Sequence, residues 1–207
     1  MPVFVDNEAN AGAMGEKFCG VGRDTANLVY VSVGAGIGTG IILNNELIRG
    51  EQGITGEFGH MTIEVDGRVC SCGNRGCLEM YASEKALMEQ YEHIAGESLP
   101  THEIVERAKA QEPEAIQAVK AVGAYLGIGI ATLLNGLNPS LILIGSRMRA
   151  VDDVLLASID PVVKARCFTH PYANFRILPS SLGVNACAIG AASLVLHQHF
   201  VGPKAHL

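Results

Sequence analysis

The chain has 207 residues, 48% apolar and 17% charged, with 24 glycines and no tryptophan. That length accommodates one full-sized domain with a sizeable core, and the composition excludes a disordered, collagenous or coiled-coil chain. Fifteen basic against 21 acidic residues leave a net charge of −6, which excludes this stretch as an unaided binder of phosphodiester backbones, since that affinity comes from Lys and Arg.

The opening MPVFVDNEAN has neither the basic region nor the apolar run of a secretory leader. Pro2 to Val5 reads as a short strand and Glu8 to Phe18 as an alanine-rich helix. LVYVSV (28–33) is an apolar, β-branched run that predicts a buried strand. GAGIGTG (34–40) reads as a glycine-dense turn, IIL (41–43) resumes the strand, and Asn44-Asn45 suits a hairpin turn into 46–50. Residues 51–78 show little periodicity and many glycines, and so long an irregular stretch needs a functional or metal-based reason to be ordered.

Helices are expected over Ala82–Ile94 and His102–Ala110, then a long one opening at Pro113 with Ile116, Val119, Gly123, Leu126, Ile130, Leu133 and Leu137 along one face. Asn138-Pro139 ends it. From Ala121 to Ser146 no residue is charged, long enough for a membrane span. However, Asn135, Asn138 and Pro139 interrupt the run and a strand pattern replaces the helical one, so it reads as a buried helix followed by the buried strand LILIG (141–145), with no membrane as partner. A helix near 151–166, a strand near Phe175–Leu178 and a helix from Ala186 to about His199 complete the order. Together these predict one α/β domain with a mixed sheet flanked by helices.

Among six cysteines, Cys19, Cys167 and Cys187 are scattered and read as buried thiols, whereas Cys70, Cys72 and Cys77 crowd a hydrophilic, glycine-rich loop. With His60 they form H-x9-C-x-C-x4-C. Three thiolates and an imidazole are the soft tetrahedral set of a closed zinc site, so zinc is expected in a structural role. A disulfide framework would belong to a smaller, cysteine-denser chain, so the cysteine usage points to a cytoplasmic protein. Around the cluster stand Glu57, His60 and Glu79, with Asn7 and Glu8 near the start. Carboxylates and amides that converge suit a polyhydroxylated ligand, whose hydroxyls both donate and accept. Taken singly they have plainer readings: Asn7 and Glu8 also suit a helix N-terminus in any protein.

The stretches VDNEANAGAMGE, GAGIGTGIIL, GEFGH, CSCGNRGCLE and LGVNACAIGAASL together resemble the ROK family of bacterial sugar kinases and sugar-responsive repressors, over nearly the whole chain. The resemblance implies an actin-like, ribonuclease-H-like lobe with a zinc-binding loop. It also implies sugar contacts at Asn7, Glu8, Glu57, His60 and Glu79, and metal ligation by His60, Cys70, Cys72 and Cys77. Three positions depart from the family's kinases: Glu8 replaces their aspartate base, Gly34-Ala35-Gly36 lacks the hydroxyl of their phosphate turn, and Gly145-Ser146-Arg147 replaces a diglycine beside the nucleotide. Gly34, Gly36 and Gly38 would line that turn if it bound phosphate; a hairpin needing glycine conformations is the preferred reading. Within the family, CSCGNRGC, YASEKAL and PSSLG are most similar to xylose-responsive repressors of Gram-positive bacteria. That subgroup implies a sugar effector, xylose, and operator DNA bound through an N-terminal winged helix-turn-helix. It further implies a homodimer, and residues 1–207 as the C-terminal lobe of the sugar-binding module, without the DNA-binding domain or N-terminal lobe. The alternative is an ATP-dependent glucokinase- or fructokinase-like enzyme with Glu8 as base.

Overall fold

The computed structural model describes residues 5–168 and 174–201. The element order is α1 (Glu8–Phe18), β1 (Leu28–Val33), β2 (Ile37–Leu43), β3 (Glu46–Leu47), α2 (Glu79–Ala82), α3 (Glu84–Ala95), α4 (Thr101–Lys109), α5 (Pro113–Leu137), β4 (Leu141–Ser146), α6 (Asp152–Arg166), β5 (Arg176–Pro179) and α7 (Ala186–Val201). The strand expected over Pro2 to Val5 lies almost wholly outside the described residues. The sheet runs β3-β2-β1-β4-β5. β2 pairs antiparallel with β1 and β3, while β1/β4 and β4/β5 are parallel, so the sheet is mixed as the sequence predicts.

β1 is central, and Leu28 faces Ile42 on one side and Leu141 on the other. Alternate side chains supply two cores. Val29, Val31 and Val33 join Ile142 and Ile144 under α3 to α6, while Leu28 and Tyr30 join Ile42, Leu141 and Leu143 under α1 and α7. A strand buried on both faces reads as a continuous apolar run, which is why LVYVSV shows no alternation. α5 is long and apolar enough to cross a membrane by length and composition. Its apolar residues are nevertheless spent within the fold: Val119, Val122, Leu126 and Ile130 are fully buried in the larger core.

Three expectations need correction. The stretch 34–40 is not one turn: the turn is confined to 34–36, and β2 already begins at Ile37, so Gly38 and Gly40 lie inside a strand. The helix expected to open at Ala82 instead opens at Glu84, after the one-turn α2; Ser83 adopts an extended conformation there and its hydroxyl caps Ala86 N–H at 3.2 Å. Cys19 is exposed at the C-terminal end of α1 and Cys187 only half-buried, so of the three scattered thiols Cys167 alone is buried.

Gly38 and Gly40 lie on one face of β2, two residues apart as a strand requires. A Cβ on Gly38 would stand 3.2 Å from Ala9 Cβ, and one on Gly40 would stand 2.7 Å from Ala13 Cβ and within overlap of the Ala9 carbonyl. These glycines allow α1 to lie directly on the sheet. Gly40→Ala is therefore expected to cost roughly 1–3 kcal/mol, read as a lower urea midpoint. Gly136, exposed in α5 with open space around it, provides the opposite case: Gly136→Ala is expected to gain about 0.5–1 kcal/mol through helix propensity.

Tyr30 lies between α1 and β4, filling the space that side chains at Gly12 and Gly145 would occupy. Burial, helped by the Glu16 and Glu8 carboxylates, pushes its phenol up to about 12. An unfolded tyrosine ionises near pH ~10, so above that pH the unfolded state binds fewer protons than the folded one and stability falls with rising pH. Melting temperature is expected to drop between about pH 10 and 12, and less so in Tyr30→Phe.

Candidate functional site

The segment from Gly50 to Leu78 has one short 3-10 turn, Phe58–His60, and two isolated bridges, Thr62 with Cys77 and Val69 with Arg75. Backbone hydrogen bonds fold it back on itself, Ile63 N–H to the Gly76 carbonyl and Gly76 N–H to the Arg68 carbonyl, each at 2.8 Å, and side chains complete its order. The donor atoms of His60, Cys70, Cys72 and Cys77 all lie within 4.8 Å of one another. Cys72 Sγ and Cys77 Sγ are 3.7 Å apart, and Cys70 Sγ is 3.6 Å from His60 Nδ1. A tetrahedral ion with metal–sulfur bonds of about 2.3 Å and a metal–nitrogen bond near 2.0 Å has edges of about 3.8 Å and 3.6 Å, so the four donors fit around one ion. Burial, with the Cys72 and Cys70 sulfurs beside it, pushes the Cys77 thiol up to about 12, and burial pushes the Cys70 thiol up as well. Thiols so placed become thiolates when a cation compensates them. Gly73 and Gly76, at φ +91° and +69°, supply the left-handed turns that gather the sulfurs.

A second clamp holds the loop to the helices. Arg68 N–H donates to Tyr81 Oη at 2.8 Å, and Arg68 Nη1 donates to the Met80 carbonyl at 3.0 Å and to Glu89 Oε2 at 2.8 Å. The Arg68 guanidinium also stacks over the Tyr81 ring, 5.0 Å from its centre. From the core side, Leu78 and Met61 seat against α5 at Gly129, where a Cβ would collide with Leu78.

The expected polar residues fall into two groups. Glu57, His60 and Glu79 converge: Glu79 Oε1 lies 3.5 Å from His60 Nδ1 and accepts from the Cys70 thiol at 2.9 Å, while Glu57 Oε2 lies 3.8 Å from His60 Nε2. One imidazole thus faces the sulfurs through Nδ1 and the open carboxylate of Glu57 through Nε2. Glu79 is mostly buried and packs against Gly36, where a Cβ would stand 2.7 Å from Oε2. The Glu57 end of the cluster is tied to β2 through Gly56, whose carbonyl accepts from Thr39 N–H at 3.1 Å and Thr39 Oγ1 at 2.7 Å.

Asn7 and Glu8 form the second group, exposed at the N-terminus of α1. The Asn7 side-chain oxygen accepts from Ala9 N–H at 2.8 Å, which makes Asn7 the helix cap and leaves its amide nitrogen able to donate. Glu8 points toward Ser32, 3.4 Å away. Both stand over β2, with Asn7 Oδ1 facing Gly38. Beside Glu8, a cleft of about 320 Å³ opens at the carboxyl ends of β1 and β4, lined by Ser32, Gly34, Glu84, Gly145 and Arg147 among others. Glu84 was not singled out from the sequence, because after Ser83 it reads as an ordinary first-turn acid. In the fold its side chain is largely buried, its Oε1 has no hydrogen-bond partner, and the guanidinium of Arg147 stands 3.8 Å away. Gly34 donates its N–H to the Gly36 carbonyl at 3.0 Å in a tight turn, and Gly38 lies within β2 under Ala9, so of the three turn glycines Gly34 alone lines the cleft.

The sequence profile described as the ROK family matches residues 1–198. The xylose repressor of Bacillus subtilis (strain 168) is 42% identical over 201 residues, covering 97% of this chain and 52% of that protein. The chain thus spans about half the length of the repressor it matches. Among solved structures, a ROK family transcriptional regulator described as a homologue of the E. coli MLC protein superposes with a TM-score of 0.85 at 32% identity, over 94% of this chain and 52% of that one. A ROK family glucokinase from Streptomyces griseus, in complex with glucose and AMPPNP, superposes with a TM-score of 0.84 at 30% identity, over 94% of this chain and 68% of that one.

The four-donor geometry generates a direct expectation. Purified protein should carry one firmly held metal ion per chain by elemental analysis. Stripping the ion should lower the melting temperature and open residues 51–78 to protease, as should Cys77→Ala, while Cys167→Ala should leave metal content unchanged.

Proposed function

The chain belongs to the ROK family, and from that membership we propose that it is the C-terminal, sugar-binding lobe of a cytoplasmic transcriptional repressor whose hold on operator DNA is relieved by sugar. Xylose is the effector in this reading, supported by the similarity to the Bacillus subtilis xylose repressor. One observation carries the choice of a repressor over an enzyme. The Glu57–His60–Glu79 group is intact, whereas the neighbouring cleft holds the carboxylates of Glu8 and Glu84, with Arg147 beside Glu84. A nucleotide lying along Gly34 and Gly145 would bring its phosphates against two carboxylates. Glu8 also extends one methylene beyond an aspartate at that position, and a base displaced by about 1 Å loses on the order of 10²-fold in rate.

Zinc is the ion that the three sulfurs and one imidazole suit, and four protein donors leave it no open position for catalysis. When bound it supplies structural support for the loop. His60 then keeps Nε2 toward the ligand side, Glu57 and Glu79 accept from sugar hydroxyls, and the Asn7 amide donates to one. Few aromatic side chains are available, 5% of the chain, so recognition is a matter of hydrogen bonds. Sugar held against this face and an opposing lobe favours one lobe arrangement, and in a homodimer that arrangement resets the spacing of two helix-turn-helix units relative to their half-sites. DNA contact belongs to those units and not to this acidic lobe.

The test is made in the complete repressor. Glu57→Ala and Glu79→Ala should leave operator binding intact and shift half-maximal induction to roughly tenfold to a hundredfold more xylose, the cost of about 1–3 kcal/mol for unpaired sugar hydroxyls. Normal induction in both variants would sink the assignment. A coupled ATP-consumption assay over a panel of sugars should show no turnover; turnover on any of them would establish a kinase instead.

A further inference from the structure

We propose that Cys72 and Cys77 form an oxidation site, at which a hydroperoxide joins the two sulfurs as a disulfide and thereby empties the metal centre. The inference rests on the zinc reading above and adds to it a chemical means of unloading the site.

The arrangement of the four donors carries it. They differ sharply in access: Cys72 is exposed, Cys70 and Cys77 are buried, and His60 is half-buried. Cys72 is therefore the sulfur that a small oxidant in solvent meets first. Its Sγ stands 3.7 Å from Cys77 Sγ, whereas Cys70 Sγ is engaged with His60 Nδ1 at 3.6 Å and Glu79 Oε1 at 2.9 Å. A disulfide between Cys72 and Cys77 needs about 1.7 Å of closure to reach a bond of ~2.05 Å. The intervening turn holds Gly73, at positive φ with open space around it, so the backbone beside Cys72 has room to adjust, while Gly76 is held against the Glu64 backbone and keeps the Cys77 side fixed. The proposed pair thus consists of the accessible sulfur and a buried resolving partner five residues further on.

The chemistry balances with peroxide as the only added reagent. The Cys72 sulfur attacks one peroxide oxygen; an S–O bond forms, the O–O bond breaks, and the departing hydroxide takes up a proton to become water. The Cys77 sulfur then attacks the Cys72 sulfur; the S–S bond forms, the S–O bond breaks, and the second hydroxide leaves as water after protonation. The two sulfurs give up two electrons and the peroxide receives them. Only Cys70 and His60 then remain as donors, too few for a structural zinc site. His60 also loses the constraint that aims Nε2 toward Glu57, so oxidation dismantles the sugar-facing surface along with the metal site.

The experiment uses zinc-loaded protein whose metal content is measured before any oxidant is added, with hydrogen peroxide as the probe and a chromophoric zinc chelator as the reporter. The expected result is release of one equivalent of zinc per chain in step with one Cys72–Cys77 disulfide, mapped by peptide mass spectrometry as the loss of two hydrogens. Thiol reductant plus zinc should reverse both. Cys19, exposed and outside the cluster, reports general thiol oxidation in the same sample. Zinc retained while Cys19 is oxidised would overturn the proposal, as would a disulfide that engages Cys70 instead of Cys72. Protein that holds no zinc at the start would instead refute the zinc reading itself, and the initial metal measurement separates that failure from the other two.

Discussion

The architecture around the site depends on how little side-chain volume β2 carries. Gly36, Gly38 and Gly40 are met in turn by Glu79, by Ala9 with Asn7, and by the Ala9 carbonyl with Ala13. From the strand's edge, Gly56 and Gly59 press against Thr39 and Ile37. Five close approaches thus converge on one short stretch of backbone. They bring α1, the metal-loop carboxylates and the sheet to a common surface. A side chain at any of these positions would push these groups apart, because protein interiors at native packing density have no slack to absorb it. The glycines cost conformational entropy in the unfolded chain, a cost acceptable where function requires backbone contact.

The loop over 50–78 is held by a different kind of force. It buries few apolar groups of its own beyond Phe58, Met61, Ile63 and the flanking Leu78. Its order depends on the four-donor cluster at its centre and on the Arg68 clamp to Tyr81 and Glu89 at its base. The two devices divide the work: the clamp fixes where the loop attaches, and the cluster fixes how His60 is turned. With Nδ1 beside the Cys70 sulfur, Nε2 is turned toward Glu57.

The same sheet serves two outcomes in this family, and the difference lies in a few side chains at the cleft. The chain superposes about equally well on a ROK family transcriptional regulator and a ROK family glucokinase, with TM-scores of 0.85 and 0.84. The proposed choice between the two outcomes therefore rests on side chains at the strand ends, Glu8, Glu84 and Arg147, and not on the packing of the sheet. This fits the general observation that function resides in sites carried by folds, not in the folds themselves.

Much of this was legible in the sequence. β1, α1, α5 and β4 are readable because two-sided burial and amphipathic periodicity are local signals, and the gathering of His60, Cys70, Cys72 and Cys77 because crowded cysteines in a polar loop have few other uses. Asn7, Glu57 and Glu79 are linked in the sequence only through resemblance, since each alone has an ordinary reading, and the fold brings Glu57 and Glu79 together at His60 while Asn7 stands apart at the start of α1. The glycine run at 34–40 reads as a single turn, although only 34–36 is one, because a strand bare on one face has the composition of a loop; only the helix lying across Gly38 and Gly40 shows why their side chains are missing. Glu84 was invisible for a related reason: a first-turn acid after a serine cap is unremarkable until β1, β4 and α7 close a cleft around it. Local chemistry along the chain was enough to determine most of the elements and which four side chains form the His/Cys cluster. Which groups face one another across the cleft depended on contacts between residues far apart in sequence, and only the folded sheet, by setting its strands in register, could decide that.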